Sequence, residues 1–134
     1  MQKLYVGCAL THAPEEFKNA VEALKKTLGA EFEVLDFLGL SKGTPQDVFE
    51  WDIDHCVASC DLFLAICDLP SLGLGYEVAT ALEKHNTPVL AVAHKDALVA
   101  RVITGNTRPK FRFQRYESVD EIRALLLAFA KEHL

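Results

Sequence analysis

The stretch Asp61–Glu77, DLFLAICDLPSLGLGYE, decides the fold class of this chain. Its apolar part, Leu62–Cys67, has the length and composition of a buried parallel strand. A carboxylate, Asp68, follows at once, and Pro70-Ser71 break the strand. A helical pattern then begins near position 74. The stretch therefore predicts a strand that leads into a helix at the carboxyl edge of a sheet, where open α/β sheets bind their ligands.

Several functional groups fall at this predicted junction. Gly73 and Gly75 are expected to let the backbone turn sharply or approach a ligand closely. Ser71 offers a hydroxyl, and Glu77 is expected in the first turn of the following helix. The sequence thus predicts a hydroxyl, free backbone N–H groups and a carboxylate in one place.

The rest of the chain alternates between strand and helix patterns. Predicted strands lie at 3–10, 31–38, 61–67, 89–93 and 110–116, and predicted helices at 14–28, 46–60, 74–86, 96–104 and 118–133. Ser118 and Glu121 have the spacing of a capping box at the start of the last helix. The alternation predicts an α/β fold: a five-stranded parallel sheet with helices on both faces. Right-handed crossovers make it a Rossmann-like or flavodoxin-like sandwich, a single domain over 1–134.

Composition narrows the class of partner. The formal net charge is −5, whereas a nucleic-acid groove needs a basic footprint. No apolar run reaches the length of a membrane span. Four cysteines in 134 residues do not make a disulfide scaffold. We therefore expect a cytoplasmic globular protein with neither a nucleic-acid polymer nor a membrane as partner.

Motifs for a resident cofactor or metal are weak. Gly73-Leu-Gly75 lacks the third glycine of a dinucleotide fingerprint, and no phosphate-loop lysine pattern occurs. Cys56 and Cys60 stand four residues apart beside His55, but no second ligand pair completes a zinc site. Two small buried side chains on one helix face are the favoured interpretation. We expect no cofactor and no metal.

Carboxylates are the more informative group. They flank the third predicted strand, at Asp52, Asp54, Asp61, Asp68 and Glu77. Asp61 opens the strand at its amino end, which predicts a cap or turn role. Asp68 and Glu77 lie at the carboxyl end, and either Asp52 or Asp54 can face the same crevice from the preceding helix. Two carboxylates in one partly dry site push their pKa values apart, and glycosidic bond cleavage uses such a pair.

The segment PSLGLGYE at 70–77, preceded by a helix aspartate, resembles the nucleoside 2-deoxyribosyltransferase superfamily. Its form is most similar to the 2′-deoxynucleoside 5′-monophosphate N-glycosidases, and the resemblance covers nearly the whole chain. It implies that Glu77 attacks C1′ of the deoxyribose, that Tyr5 orients Glu77, and that Asp52 assists protonation of the base. Ser71 and nearby backbone N–H groups would hold the 5′ end of the sugar.

The chain departs from this family's pattern in the spacing of the helix aspartate. The family places it eight residues before the aspartate that opens the third strand. Here Asp52 precedes Asp61 by nine residues and Asp54 precedes it by seven. Both aspartates therefore stay candidates.

A second departure concerns the pocket for a 5′-phosphate. The family lines it with serines and an arginine after the first strand, whereas this chain has ALTH at 9–12 and Ala100 in the segment that reaches a neighbouring subunit. Thr11, His12 and Arg101 are the candidates to compensate. With Ser71, Gly73, Gly75 and Asp68 they make up the predicted substrate-binding set.

The resemblance implies cleavage of the N-glycosidic bond of small 2′-deoxynucleosides or their 5′-monophosphates, with release of the base. Retention of Pro70-Ser71 slightly favours the monophosphate. A homo-oligomer is expected, because 96–105 resembles the segment that completes a neighbour's site. The alternatives are a base-exchanging deoxyribosyltransferase, a non-catalytic nucleotide-binding module and a TIR-like NAD-cleaving enzyme, among which fold alone cannot choose.

Overall fold

The computed structural model describes all 134 residues and contains one five-stranded parallel sheet of order β2-β1-β3-β4-β5. The strands are β1 (Lys3–Cys8), β2 (Glu33–Leu35), β3 (Leu62–Ile66), β4 (Val89–His94) and β5 (Phe111–Tyr116). This order is that of flavodoxin-like folds, in which the crevice lies where the order reverses, between β1 and β3. The predicted fold class is confirmed.

Four helical segments connect the strands, and a fifth follows β5. They are α1 (Glu15–Leu28), α2 (Pro45–Phe49), α3 (Leu72–Ala79), α4 (Arg101–Thr104) and α5 (Asp120–His133). Two of them continue with π-helical hydrogen bonding, α2 through Glu50–Val57 and α3 through Thr80–Lys84. None of these helices combines the length and apolarity needed to cross a bilayer.

The core consists of two layers, one on each face of the sheet. Along β1, Leu4 and Val6 pack with apolar residues of α1 and α5, whereas Tyr5 packs on the opposite face with residues of the π-helical segment Glu50–Val57 and of α3. This alternation follows from the two-residue period of a strand. It places Tyr5 on the face covered by the helices that flank the third strand.

Gly7 sets how closely α3 approaches the sheet. A Cβ atom added at Gly7 would lie 2.9 Å from Cδ1 of Leu74 and 3.0 Å from the Phe63 ring. A side chain at position 7 would force the Leu74 side chain and the Phe63 ring to shift, so glycine suits the close packing of α3 on β1. The close packing brings α3 within hydrogen-bonding reach of the strand.

The predicted turn at Gly73 and Gly75 is wrong. Both glycines lie inside α3, and neither has a positive φ angle. The helix begins two residues earlier than expected because the Ser71 side chain accepts a hydrogen bond from the backbone N–H of Leu74 at 3.1 Å, the bond of an N-cap residue. Glu77 consequently lies in the second turn of α3, not in the first.

The predicted capping box of the last helix is half formed. Oε1 of Glu121 accepts a hydrogen bond from the backbone N–H of Ser118 at 3.2 Å. The Ser118 side chain caps nothing, since Val119 occupies the N-cap position and α5 begins at Asp120. Both bonds of a capping box occur instead at Thr44 and Asp47, at the start of α2.

Candidate active site

Tyr5 and Glu77 form the buried centre of the site. The phenol of Tyr5 donates a hydrogen bond to Oε2 of Glu77. Tyr5 is 1% exposed and Glu77 is 9% exposed. The Tyr5 ring packs edge to face on Phe63, with ring centroids 5.1 Å apart. The sheet therefore fixes the phenol, and the phenol orients the carboxylate.

Asp52 is the second carboxylate of this centre. It lines the same cavity as Glu77, and its Oδ1 accepts a hydrogen bond from the backbone N–H of Leu38 at 2.9 Å. Asp54 is exposed and lies outside the cavity lining. Of the two candidate aspartates, only Asp52 is positioned to act with Glu77.

The unusual spacing of Asp52 has a physical explanation in the helix that carries it. Residues Glu50–Val57 are π-helical, and the N–H of Ala58 donates to the carbonyl of Ile53, five residues earlier. An α-helix closes its bonds over four residues, so an i+5 bond fits one additional residue into a turn. An aspartate nine positions before Asp61 therefore has a side chain that faces the cavity. Isolated π turns of this kind are frequent at functional sites.

Burial raises the pKa of both carboxyl groups of this centre. Burial raises the pKa of Glu77 to about 7, with a further increase from the charge of Asp52 and an opposing effect of the Tyr5 hydrogen bond. Burial also raises the pKa of Asp52, against the hydrogen bond from Leu38. The pKa of Tyr5 is raised as well, first by burial and then by the Glu77 charge. Glu77 is therefore present in both its ionised and its protonated form near neutral pH.

A large cavity opens above this centre. Its volume is about 1240 Å³, and 20 of its 30 lining residues are hydrophobic. Five members of the predicted binding set line it: Thr11, His12, Ser71, Gly73 and Gly75. A Cβ atom added at Gly75 would meet no atom within 4 Å, so α3 leaves open space one turn from its start.

Two members of the predicted binding set lie elsewhere. Asp68 does not line the cavity; its Oδ2 accepts a hydrogen bond from the phenol of Tyr116, and its Oδ1 is buried without a partner. Asp68 lies two residues beyond the end of β3, and the hydrogen bond from Tyr116 of β5 holds its carboxylate outside the cavity lining. Arg101 is exposed and outside the lining, although Ala100 and Val102 on either side belong to it.

An aromatic pair at the site was not predicted. Phe49 and Tyr76 both line the cavity, with ring centroids 6.2 Å apart at an interplanar angle of 62°. They are 48% and 56% exposed. The signal in the sequence was their position, since Phe49 precedes Asp52 by three residues and Tyr76 immediately precedes Glu77. Exposed rings beside two carboxylates offer a stacking surface for a flat heteroaromatic group.

The cysteines are core residues. Cys8, Cys56, Cys60 and Cys67 are all buried and free. Burial is the main factor that raises the pKa of each of the four thiols to about 12. Thiols with such high pKa values are poor nucleophiles at neutral pH.

Similar proteins point in the same direction as the geometry. A Thermofilum pendens protein, provisionally named 2′-deoxynucleoside 5′-phosphate N-hydrolase 1, is 40% identical over 89 residues, which are 64% of this chain and 61% of that protein. A Syntrophotalea carbinolica protein with the same provisional name is 36% identical over 83 residues, 60% of this chain and 56% of that protein.

Two solved structures share the fold over nearly the whole chain. A Clostridium botulinum CMP N-glycosidase superposes with a TM-score of 0.75 at 21% identity, covering 96% of this chain and 99% of that one. A 2-desoxiribosyltransferase from Leishmania mexicana superposes with a TM-score of 0.68 at 14% identity, covering both chains completely. The predicted resemblance to the nucleoside 2-deoxyribosyltransferase superfamily is confirmed.

The sequence match to the curated relatives covers only part of their length. The matched part spans about six tenths of the length of the curated relatives, 61% and 56%. No protein-family model matches the sequence. The two solved structures are under 25% identical to this chain. They therefore establish the shared fold alone.

Proposed function

We propose that this protein cleaves the N-glycosidic bond of a small nucleoside or nucleotide, with Glu77 as the nucleophile. The observation that carries the proposal is the buried centre in which Tyr5 holds Glu77 and Asp52 faces the same cavity. The names of the curated relatives and of the solved structures refer to the same class of bond.

The chemistry follows from the two carboxyl groups. An oxygen of ionised Glu77 forms a bond to C1′ of the sugar while the C1′–N bond breaks, and the bonding electron pair leaves with the base. Asp52, whose pKa is raised by burial, supplies a proton to the departing base. Water then attacks C1′ as the C1′–O bond to Glu77 breaks, and the proton of the water passes to the Asp52 carboxylate, which restores both carboxyl groups to their starting states.

Tyr5 and the aromatic pair support this sequence of steps. The Tyr5 phenol holds Oε2 of Glu77 and lowers the pKa of the nucleophile. Phe49 and Tyr76 give the base a surface on which to stack close to Asp52. A base held there has its leaving nitrogen near the acid, as proximity catalysis requires.

A homo-oligomer is part of the proposal. Leu72, Leu98 and Val102 line the cavity and are 97%, 93% and 79% exposed. Exposed apolar side chains concentrated at the opening of the cavity mark a surface for protein association. A second copy of the chain bound there would cover the cavity. A cytoplasmic location stays a prediction.

The test is incubation of the protein with a panel of nucleosides, deoxynucleosides and their 5′-monophosphates, with chromatography of the free base. Release of base by the unaltered protein and none by a Glu77→Gln variant supports the proposal. Addition of an acceptor base distinguishes hydrolysis from base exchange. Absence of base release across the whole panel would leave a binding module as the better description.

A further inference from the structure

The cavity contains acidic groups and no permanent cation. The ionisable residues that line it are Asp52, Glu77, Tyr5, Tyr76, His12 and the two thiols Cys8 and Cys67. His12 is the only one of them that can become positively charged, and it is exposed at the loop after β1. A nucleoside 5′-monophosphate carries a phosphate charge of about −1.5 to −2 at pH 7, and no side chain of the lining offers that charge a permanent cation.

Several cations outside the cavity are engaged with other groups, whereas the exposed side chains of Lys42 and Arg101 form no ion pair and do not line the cavity. Arg115, near the carboxyl edge of the sheet, donates to the carbonyls of His94 at 2.9 Å and of Ala97 at 2.8 Å. Lys25 lies 2.8 Å from Asp36 and 3.0 Å from Glu22. Other arginines are paired in the same way: Arg108 with Glu83, Arg112 with Glu132 and Arg123 with Glu31.

Apolar side chains line the cavity after β1 and at the start of α3, where the family resemblance places the 5′ end of the sugar. After β1 the chain continues with Ala9 and Leu10, of which Ala9 is 4% exposed, and both line the cavity. Leu72 lines it from the start of α3. The oxygen of Ser71 already accepts the hydrogen bond of Leu74 at 3.1 Å, which leaves its hydrogen for one further acceptor.

From this lining we infer that the site takes nucleosides whose 5′ end is uncharged, in preference to their 5′-monophosphates. The inference rests on the proposed N-glycosidic activity and narrows its substrate class. A 5′-hydroxyl or a small apolar 5′ substituent fits against Ala9, Leu10 and Leu72. A phosphate there would lose its hydration without gaining a cation, in a cavity that already contains two carboxyl groups.

The first test compares kcat/KM for a deoxynucleoside, its 5′-O-methyl derivative and its 5′-monophosphate. We expect the two uncharged compounds to be cleaved at least about tenfold more efficiently than the monophosphate, a difference of about 1.4 kcal/mol. A higher kcat/KM for the monophosphate would overturn the inference while leaving the proposed function intact, provided that Glu77→Gln abolishes release.

A positive charge added to the cavity lining provides a second test, with a neutral variant at the same position as its matched control. Thr11 is exposed and lines the cavity, so Thr11→Arg introduces a cation with little repacking, and Thr11→Gln introduces a neutral chain of similar reach. We expect Thr11→Arg to raise the ratio of monophosphate to nucleoside kcat/KM at least about tenfold over Thr11→Gln, the order of one charge-assisted contact. Equal ratios in the two variants would contradict the inference.

Two further experiments distinguish a failure of this inference from a failure of the proposed function. If the unaltered protein prefers the monophosphate and Arg101→Ala removes that preference, a neighbouring subunit supplies the cation and the inference is wrong. Binding of a non-cleavable C-nucleoside and its 5′-monophosphate, measured by calorimetry on the unaltered protein, reports on the 5′ end without any chemistry. Tighter binding of the C-nucleoside supports the inference even where no base is released, and tighter binding of its monophosphate refutes it.

Discussion

The phenol of Tyr5 donates a hydrogen bond to the carboxylate of Glu77 across 72 positions of sequence. The bond joins the middle of β1 to the second turn of α3, the two elements that meet where the strand order reverses. A buried carboxylate held in this way, with Asp52 raising its pKa, is the relationship on which the following predictions depend.

Replacement of the nucleophile should abolish base release. Glu77→Gln keeps the size of the side chain and an oxygen that can accept the Tyr5 hydrogen bond, but it cannot form the ester to C1′. We expect kcat to fall by at least roughly 10³-fold, with an unchanged circular dichroism spectrum. Near-normal turnover by this variant would remove Glu77 from the mechanism.

The two aspartates should differ sharply. Asp52→Asn removes the proton donor for the departing base, so kcat should fall by roughly 10²- to 10⁴-fold, the usual size of a general-acid contribution. Asp54→Asn changes an exposed side chain outside the cavity and should leave kcat within about twofold, as surface substitutions do. Steady-state rates of base release decide the ranking, and the reverse order would transfer the role to Asp54.

The pH dependence should move in opposite directions in two variants. Ionised Glu77 is the active form and its pKa is about 7. The value of kcat/KM should therefore rise with pH along an acidic limb whose midpoint lies near 7. The Tyr5 hydrogen bond lowers this pKa and the Asp52 charge raises it. Tyr5→Phe should therefore shift the acidic limb to higher pH, and Asp52→Asn should shift it to lower pH. Limbs that move together, or not at all, would show that another group titrates.

Burial of Glu77 should also affect stability. Its pKa is about 7 in the folded protein, against 4.5 for an unperturbed glutamate side chain, so folding favours the protonated form. This contribution is complete below pH 4.5 and is lost as pH rises through 7. Glu77→Gln does not titrate, so its advantage in free energy of unfolding over the unaltered protein should grow between pH 4.5 and 8, by up to about 3 kcal/mol. Urea denaturation at both pH values measures the change, with the exposed Asp54→Asn as control; an advantage that stays constant would argue against a raised pKa.

The assembly should depend on the apolar mouth of the cavity. Leu98→Asp and Val102→Asp place charges on side chains that are 93% and 79% exposed, so they should weaken association without affecting the fold of the subunit. Light scattering should show a homodimer or larger closed oligomer for the unaltered protein and a smaller species for these variants. Val119→Asp, at an exposed apolar position outside the cavity, is the control. An unaltered protein that is an active monomer would contradict the prediction.

Much of this site could be read from the sequence because it lies on regular elements. The apolar run of β3 and the residues after it located Glu77, and the family resemblance supplied Tyr5 within the first predicted strand. The orientation of Asp68 was missed, since it depends on which side of the strand end meets the cavity, and Tyr116, 48 positions away, holds it on the opposite side. The start of α3 was misplaced because the Ser71 cap outweighs the low helix propensity of two glycines.

Asp52 could not be distinguished from Asp54 because the choice depends on the hydrogen-bond pattern of the helix. A regular 3.6-residue period does not anticipate an i+5 turn, and nothing in the local composition of Glu50–Val57 marks one. Arg101 was similarly ambiguous: its neighbours line the cavity, and only the structure shows that its own side chain does not.

The π turn beneath Asp52 has a consequence for how this protein can change over evolutionary time. An i+5 turn contains one residue more than an α-helical turn. A chain can lose that residue by returning to i+4 bonding, without displacement of the elements on either side. Insertions and deletions are ordinarily confined to loops. Here the helix can gain or lose one residue while Asp52 and Glu77 keep the same arrangement. Related chains of either length can therefore present the aspartate to the same cavity, and an alignment that forbids a gap in this helix would pair Asp52 with the wrong residue.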